Sequence, residues 1–121
     1  MPQNPTTSAT ISTQQLRALQ DGVSASLQTI LKAYDRCEDP VGSATLLQQS
    51  QQLAAQMSAM ETALFHQETV QATAAMADAF TCASGFTAQL KQMEATLDKV
   101  SDIINAAAKL IGVVAQIIPY L

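Results

Sequence analysis

The chain has 121 residues, enough for one domain with a modest core, and its net charge of −4 comes from 10 acidic and 6 basic residues. The basic residues do not cluster in the sequence, which excludes the basic surface that nucleic-acid binding requires. Few glycines and prolines interrupt the chain, and charged residues make up only 13 % of it, about half the usual share, so we expect a helical protein with an uncharged polar exterior.

The N-terminal segment is predicted to lie outside the folded domain. Residues 1–12 are predicted to be a disordered tail because they offer almost nothing apolar to bury. Residues 13–121 are predicted to form a single helical domain. The segment lacks the basic start and the apolar core of a cleavable Sec signal peptide. We therefore expect a cytoplasmic protein, or one exported without a cleaved Sec signal.

The first helix is predicted to open at Gln14, with Ser12 or Thr13 as its cap. Gly22 lies inside the helix and is expected to weaken it by about 1 kcal/mol. The apolar residues recur every three or four positions, as on one face of a helix: Leu16, Leu19, Val23, Leu27, Ile30 and Tyr34.

Residues 37–43 form the clearest boundary in the sequence. Asp39 can cap a second helix with Pro40 at its first position, where the missing N–H costs nothing. Ser43 is the alternative cap. From there no proline occurs until Pro119. A first apolar seam of this long stretch, interrupted by Ser50, consists of Leu46, Leu53, Met57, Met60 and Leu64.

The apolar spacing becomes unusually regular after a register change between Leu64 and Ala72. From Ala72 to the C-terminus it alternates between four and three residues, which is the heptad pattern of helices packed at shallow angles. We call this set the heptad seam: Ala72, Met76, Ala79, Ala83, Phe86, Leu90, Met93, Leu97, Val100, Ile104, Ala107, Ile111, Val114, Ile118 and Leu121.

These patterns predict an all-α fold, an antiparallel helical bundle or coiled-coil hairpin of three long helices. In that scheme the last break falls at Ser84–Gly85, because glycine often closes a helix. Since the seam crosses Gly85 without a change of phase, this glycine could instead mark a close contact between helices. The alternative is four helices, with breaks near residues 66–70 and again near residues 98–101.

The C-terminal segment, residues 103–121, approaches the length of a membrane span and carries one charge, Lys109. A lysine near the centre of a spanning helix costs roughly 3 kcal/mol. The segment also has a polar stripe opposite the seam, which a bundle helix with one wet face requires: Asp98, Asp102, Asn105, Lys109, Gly112 and Gln116. Packing in a bundle is therefore the favoured interpretation, with reversible membrane contact and then a constitutive span as the alternatives.

No constellation for catalysis, cofactor binding or metal binding is recognisable. His66 is the only histidine and has neither a nucleophile elbow nor a family-type cysteine signature near it. Cys37 and Cys82 form no CxxC pair, and phosphate-cradling glycine motifs are missing. We therefore predict a protein that is not an enzyme and has no cofactor and no metal.

The exterior of the predicted helices is the most informative feature. The sequence from Pro40 to Met60 has no charged residue, and that from Thr69 to Leu90 has only Asp78. Because interface cores are depleted of charge and small residues allow close helix approach, we predict a non-enzymatic interaction protein that self-associates, as a homo-oligomer, or binds a protein partner. The predicted contact residues are Phe86, Leu90, Met93, Leu97, Val100, Ile104, Ile111, Val114 and Ile118.

The mixture of Ala, Gln, Ser and Thr with few aromatic residues resembles that of helical components of bacterial secretion machines and of helical pore-forming proteins. The resemblance lies in composition, with no shared motif, and it implies a secretion-associated component. The alternative function is a secreted, membrane-active protein, pore-forming or translocator-like, that inserts residues 103–121 into a bilayer.

Overall fold

The computed structural model describes residues 9–65, 69–72, 74–97 and 99–121. The described residues form four α-helices and two short strands. The helices are α1 (Thr13–Arg36), α2 (Pro40–Leu64), α3 (Ala74–Met93) and α4 (Val100–Ile117), and the strands are β1 (Ala9–Ser12) and β2 (Thr69–Ala72). Short 3-10 turns follow α3 at Glu94–Thr96 and α4 at Ile118–Tyr120. The prediction of an all-α protein is confirmed.

The first two helices begin where local chemistry places their caps. Ser12 Oγ accepts a hydrogen bond from the N–H of Gln15 at 3.1 Å, and Gln15 Oε1 accepts one from the N–H of Ser12 at 3.0 Å, which together form a capping box. Asp39 Oδ2 accepts a hydrogen bond from the N–H of Gly42 at 2.9 Å, and Pro40 occupies the first position of α2. The observed start of each of these two helices therefore lies within one residue of its predicted position.

The helices pack as a bundle in which α1 lies mainly against α2 and α3, while α4 lies mainly against α3 and α2. The short loop of residues 37–39 makes α1 and α2 antiparallel, and the turn after α3 does the same for α3 and α4. α1 and α3 run parallel, because Gly22 in the first half of α1 lies against Thr87 of α3, and Lys32 near the end of α1 reaches Glu94 just after α3. The helical bundle is confirmed. The coiled-coil packing of the seam stays a prediction.

All four helices contribute to one apolar core. Its largest fully buried side chains are aliphatic or methionine and contain no aromatic ring, as the composition suggested. They are Leu16, Val23, Ile30, Leu46, Leu53, Met60, Leu64, Met76, Leu90, Ile103, Leu110 and Ile117.

Gly85 lies inside α3, and a helix break at Ser84–Gly85 is therefore wrong. A Cβ added at Gly85 would meet nothing within 4 Å, so the residue is not a close-packing point either. A glycine inside a helix costs only about 1 kcal/mol, which packing against α1 and α4 can offset. The described chain has four α-helices, the number in the alternative scheme, with the interruptions on either side of α3.

β1 and β2 form an antiparallel two-stranded ribbon that pairs Ala9 with Ala72 and Ser12 with Thr69. Residues 9–12 belong to the segment predicted to be a disordered tail, so this part of the segment is ordered instead. A pairing partner about 60 residues away supplies the hydrogen bonds that a tail lacks. The predicted disorder of residues 1–8 lies outside the described residues.

Among the described residues, two ion pairs join neighbouring parts of the bundle at the surface. Arg17 Nη1 lies 3.8 Å from Glu61 Oε1, and Lys32 Nζ lies 3.1 Å from Glu94 Oε1. The hydrogen bond that Lys32 donates, together with its positive charge, holds the pKa of the Glu94 carboxyl below its usual range. Both pairs are solvent-exposed, so each contributes little to the stability of the fold.

Candidate interaction surface

The nine predicted contact residues lie in or against the core of their own chain. Three of them, Leu90, Leu97 and Val114, are buried. The other six are partly buried and pack against the core: Phe86, Met93, Val100, Ile104, Ile111 and Ile118. The structure therefore occupies much of their apolar surface within the chain. Contact of these residues with a partner stays a prediction.

The buried face of α4 is centred beside the heptad seam. Ile103, Leu110 and Ile117, each one position before a seam residue, are completely buried, whereas Ile104 and Ile111 are partly exposed. The polar stripe lies on the opposite side, as predicted, and its described residues are exposed: Asp102, Asn105, Lys109, Gly112 and Gln116. The side chain of Asp98 lies outside the described residues.

The outward side of α2 forms a long stripe of exposed residues without charge. We call it the α2 stripe: Val41, Ala44, Gln48, Gln51, Ala55, Ser58, Thr62 and Phe65, all exposed. Val41 is 74 % exposed and Phe65 is 71 % exposed, and Leu47 beside the stripe is 40 % exposed. Phe65 continues the helical conformation, with φ −58° and ψ −35°. The stripe is about 36 Å long at 1.5 Å per residue.

The outward faces of the other helices carry charges. α1 exposes three cationic and two anionic side chains, while α3 and α4 each expose one lysine and one aspartate. These residues are Arg17, Asp21, Lys32, Asp35, Arg36, Asp78, Lys91, Asp102 and Lys109. In the sequence of α2 the only charged residue is Glu61, which faces α1 through Arg17 and Gln20. The α2 stripe therefore differs in charge from every other helix face of the described bundle.

A pair of glutamines lies between α2 and α4. Gln49 and Gln56 donate hydrogen bonds through Nε2 to the carbonyl oxygens of Ile104 and Ile111, each at 2.9 Å. The equal offset shows that α2 and α4 run parallel. Both Oε1 atoms are buried without a hydrogen-bond partner among the described residues, a situation that costs about 1–3 kcal/mol per group.

A cleft of about 390 Å³ lies at the end of the bundle where α2 and α4 begin. Arg36, Cys37, Asp39, Val100 and Ile104 are among its lining residues, so charges of both signs stand beside an apolar wall. The Cys37 thiol donates to the carbonyl of Asp39 at 3.5 Å. This mixture presents no set of groups aimed at one kind of ligand.

The described residues hold no group of three His, Cys, Asp or Glu side chains suited to a metal ion. Cys37 is half-buried and Cys82 is exposed, and both are free thiols. His66, the only histidine, lies outside the described residues.

Comparison with protein-family models, with curated proteins and with solved structures finds no match for this chain. Among the described residues one helical segment, Val100–Tyr120, is long and apolar enough to cross a membrane. A mostly buried core helix of a soluble protein meets the same criterion, whereas 33 % of an 18-residue window of this segment is buried in the bundle.

The sequence did not single out Val41, Leu47 or Phe65 as surface residues. The signal that could have found Val41 and Leu47 was the uncharged run from Pro40 to Met60, which Phe65 follows by five residues. If this run is a helix that turns Leu46, Leu53 and Met60 towards the core, the helical period places the stripe on the outward side.

Proposed function

We propose that this chain is a non-enzymatic helical interaction protein that self-associates or binds a helix of a partner. The observation that carries the proposal is the uncharged α2 stripe, with exposed apolar side chains at Val41, Leu47 and Phe65. Its location in the cell and a connection with secretion stay predictions.

The mechanism is packing of one helix against another along the stripe. Ala44, Ala55 and Ser58 have short side chains, which allow a second helix backbone to come close. Since the stripe has no charge, covering it requires no desolvation of an ionised group. The glutamines at its centre, Gln48 and Gln51, can exchange hydrogen bonds with water for hydrogen bonds with a partner. We propose coiled-coil packing for this contact.

A charge placed on the stripe is expected to weaken association without unfolding the chain. Ala55→Lys puts a cation on the α2 stripe, and Ala88→Lys puts the same cation on the exposed face of α3. Burying an unpaired charge costs more than about 1.4 kcal/mol, so we expect the dissociation constant of Ala55→Lys to rise at least about tenfold. Sedimentation velocity across a wide concentration range, with circular dichroism as the check on folding, measures this difference.

The matched variant Ala88→Lys should associate like the unchanged protein. If the unchanged protein stays monomeric at high concentration and the immobilised chain recovers no partner, the proposed function is wrong. If both lysine variants lose association equally, the contact does not use the α2 stripe.

A second candidate function is membrane activity, and the segment Val100–Tyr120 favours it by its length and apolar character. In this candidate α4 leaves the bundle and inserts. Lys109→Leu removes the charge near the centre of the segment, worth roughly 3 kcal/mol to a spanning helix, and should raise the fraction bound to vesicles. Lys91→Leu on α3 is the control. Absence of flotation with neutral and anionic vesicles, at neutral and acid pH, eliminates this candidate.

A further inference from the structure

We propose that this bundle opens along the contact between α2 and α4, and that Gln49 and Gln56 keep that contact weak enough to open. The four helices form two antiparallel hairpins, α1 with α2 and α3 with α4. Opening separates one hairpin from the other. The inference describes a conformational change of the domain itself, so it goes beyond the proposed function, which uses the outward side of α2.

The two hairpins meet along two edges. Because α1 lies mainly against α2 and α3, and α4 lies mainly against α3 and α2, the helices stand at the corners of a square with α1 diagonal to α4. The contacts between the hairpins are therefore the α1–α3 edge and the α2–α4 edge. If one edge is weaker, the hairpins separate there and pivot on the other.

The α1–α3 edge is joined at several levels. The ribbon of β1 and β2 connects the segments that precede α1 and α3 through main-chain hydrogen bonds. Farther along, the two helices approach so closely that a Cβ at Gly22 would lie 3.0 Å from Thr87 Oγ1. Near the end of α1, the exposed pair of Lys32 and Glu94 adds a contact of 3.1 Å. We therefore expect this edge to act as the pivot.

The α2–α4 edge contains two buried acceptors without a hydrogen-bond partner among the described residues. The amide nitrogens of Gln49 and Gln56 face α4, where they donate to the carbonyl oxygens of Ile104 and Ile111. Solvent does not reach the Oε1 atom of either glutamine. The backbone N–H groups of the surrounding helices are already used in helical hydrogen bonds. Each amide therefore gains one hydrogen bond and buries one unpaired acceptor.

The two unpaired acceptors cost more than the two hydrogen bonds contribute. A hydrogen bond within the protein replaces one with water and gains little, whereas a buried acceptor without a partner loses its hydration outright. The carbonyls of Ile104 and Ile111 do not need the glutamines, because each also accepts the helical hydrogen bond from the residue four positions later in α4. Separation of α2 from α4 hydrates both amides, which makes opening easier than at an apolar contact of the same size.

The open form is a minor state of the domain. Opening exposes apolar side chains that α2 and α4 turn towards the core, among them Leu53 and Leu110, which are completely buried in the closed bundle. Their burial keeps the closed form the more populated one. Because the α1–α3 edge stays in place, opening requires less free energy than global unfolding.

Thiol labelling at two buried alanines tests which edge opens. Ala107→Cys reports on the α2–α4 edge, because residue 107 lies on the same face of α4 as Ile104 and Ile111. Ala83→Cys reports on the α1–α3 edge, because residue 83 lies one helical turn before Thr87. Both alanines are completely buried, so the two substitutions are matched.

The labelling is carried out with N-ethylmaleimide under native conditions, in a background in which Cys37 and Cys82 are serine. Each rate is divided by the rate of the same variant in concentrated urea, which removes differences in the reactivity of the thiol. We expect Ala107→Cys to react at least about tenfold faster than Ala83→Cys, which corresponds to about 1.4 kcal/mol in the free energy of opening.

The variant with both Gln49→Met and Gln56→Met tests the role of the glutamines. Methionine keeps an unbranched side chain of the same length and has no group that requires a hydrogen bond. We expect it to slow the labelling of Ala107→Cys at least about tenfold, and to raise the urea midpoint of the otherwise unchanged chain. The matched control is Gln48→Met with Gln52→Met, two exposed positions of α2, which should change neither quantity.

Equal labelling at the two sites, or faster labelling of Ala83→Cys, means that the bundle opens globally or at the other edge, and overturns the inference. A urea midpoint that is lower or unchanged in the methionine pair means that the glutamines do not weaken the α2–α4 edge, which also overturns it. The urea measurement uses no cysteine variant, so it decides the role of the glutamines even where a cysteine variant does not fold.

Discussion

Leu53→Ala is expected to lower the free energy of unfolding by about 2–5 kcal/mol, the range for deleting a buried leucine side chain. Leu53 lies at the centre of the inward face of α2 and is completely buried. Its removal loses apolar burial and leaves a cavity among side chains from several helices. Urea unfolding followed by circular dichroism measures the loss through the shift of the midpoint.

Leu47→Ala is the matched control on the same helix. Leu47 is 40 % exposed, so the same chemical change should cost about 1 kcal/mol or less. Association should show the reverse order. We expect Leu47→Ala to weaken it more than Leu53→Ala does, because Leu47 borders the α2 stripe and Leu53 faces away from it. Equal losses of stability would mean that α2 is not oriented as described.

Gly22→Ala is expected to destabilise the protein by about 1–3 kcal/mol, although alanine is the better helix former, because it over-packs the contact between α1 and α3. A Cβ at Gly22 would lie 3.0 Å from Thr87 Oγ1, 3.1 Å from its Cβ and 3.3 Å from its Cγ2. Rotation of the threonine side chain moves only two of these atoms, since its Cβ is fixed by the backbone. The backbones of α1 and α3 must therefore shift apart by a few tenths of an ångström at this contact. Thermal and urea unfolding measure the change.

Gly112→Ala provides the opposite result from the same substitution. A Cβ at Gly112 meets nothing within 4 Å, and the residue is exposed in the middle of α4. Alanine should therefore stabilise the protein by about 1 kcal/mol through helix propensity.

In the variant with both Gly22→Ala and Thr87→Gly, the loss should be smaller than the sum of the single losses. Additive losses would contradict the close contact.

The helix starts could be predicted because capping is local chemistry. Ser12 and Gln15 are three residues apart, and Asp39 and Pro40 are adjacent, so the sequence itself contains both partners of each interaction. The number of helices could not be settled in this way. Gly85 lies inside a helix, whereas other glycines end one. The difference depends on the tertiary surroundings of the glycine, which the local sequence does not contain.

The buried face of α4 was only partly predictable. Two apolar rows run along this helix, one through Ile104 and Ile111 and the other through Ile103 and Leu110. Both rows recur every seven residues, so periodicity does not distinguish them. The choice depends on where α2 and α3 lie, and those positions are set by contacts far apart in the sequence.

The ribbon of β1 and β2 could not be predicted from local pattern. Each strand has four residues, too few for a clear alternation of polar and apolar side chains. Its stability comes from hydrogen bonds between two segments about 60 residues apart, and neither segment shows a strand signal by itself.

The candidate site was predictable in its chemistry and not in its position. The uncharged run within α2 was visible as composition, whereas the heptad seam drew attention to residues after Ala72. The seam is the more regular pattern, but regular apolar spacing identifies what a helix buries. The proposed binding surface is better indicated by the absence of charge from an exposed face.

Gln49 and Gln56 have a consequence for how uniquely the chain folds. A helix of small and aliphatic residues such as α4 could shift along α2 by part of a turn with little loss of apolar contact. The two side-chain amides would then face the carbonyls of other residues at the wrong height, and both hydrogen bonds to Ile104 and Ile111 would break together. Each lost bond leaves a buried donor unsatisfied at about 1–3 kcal/mol. The glutamine pair thus favours one axial alignment of α4 against α2 over others that would bury a similar apolar area.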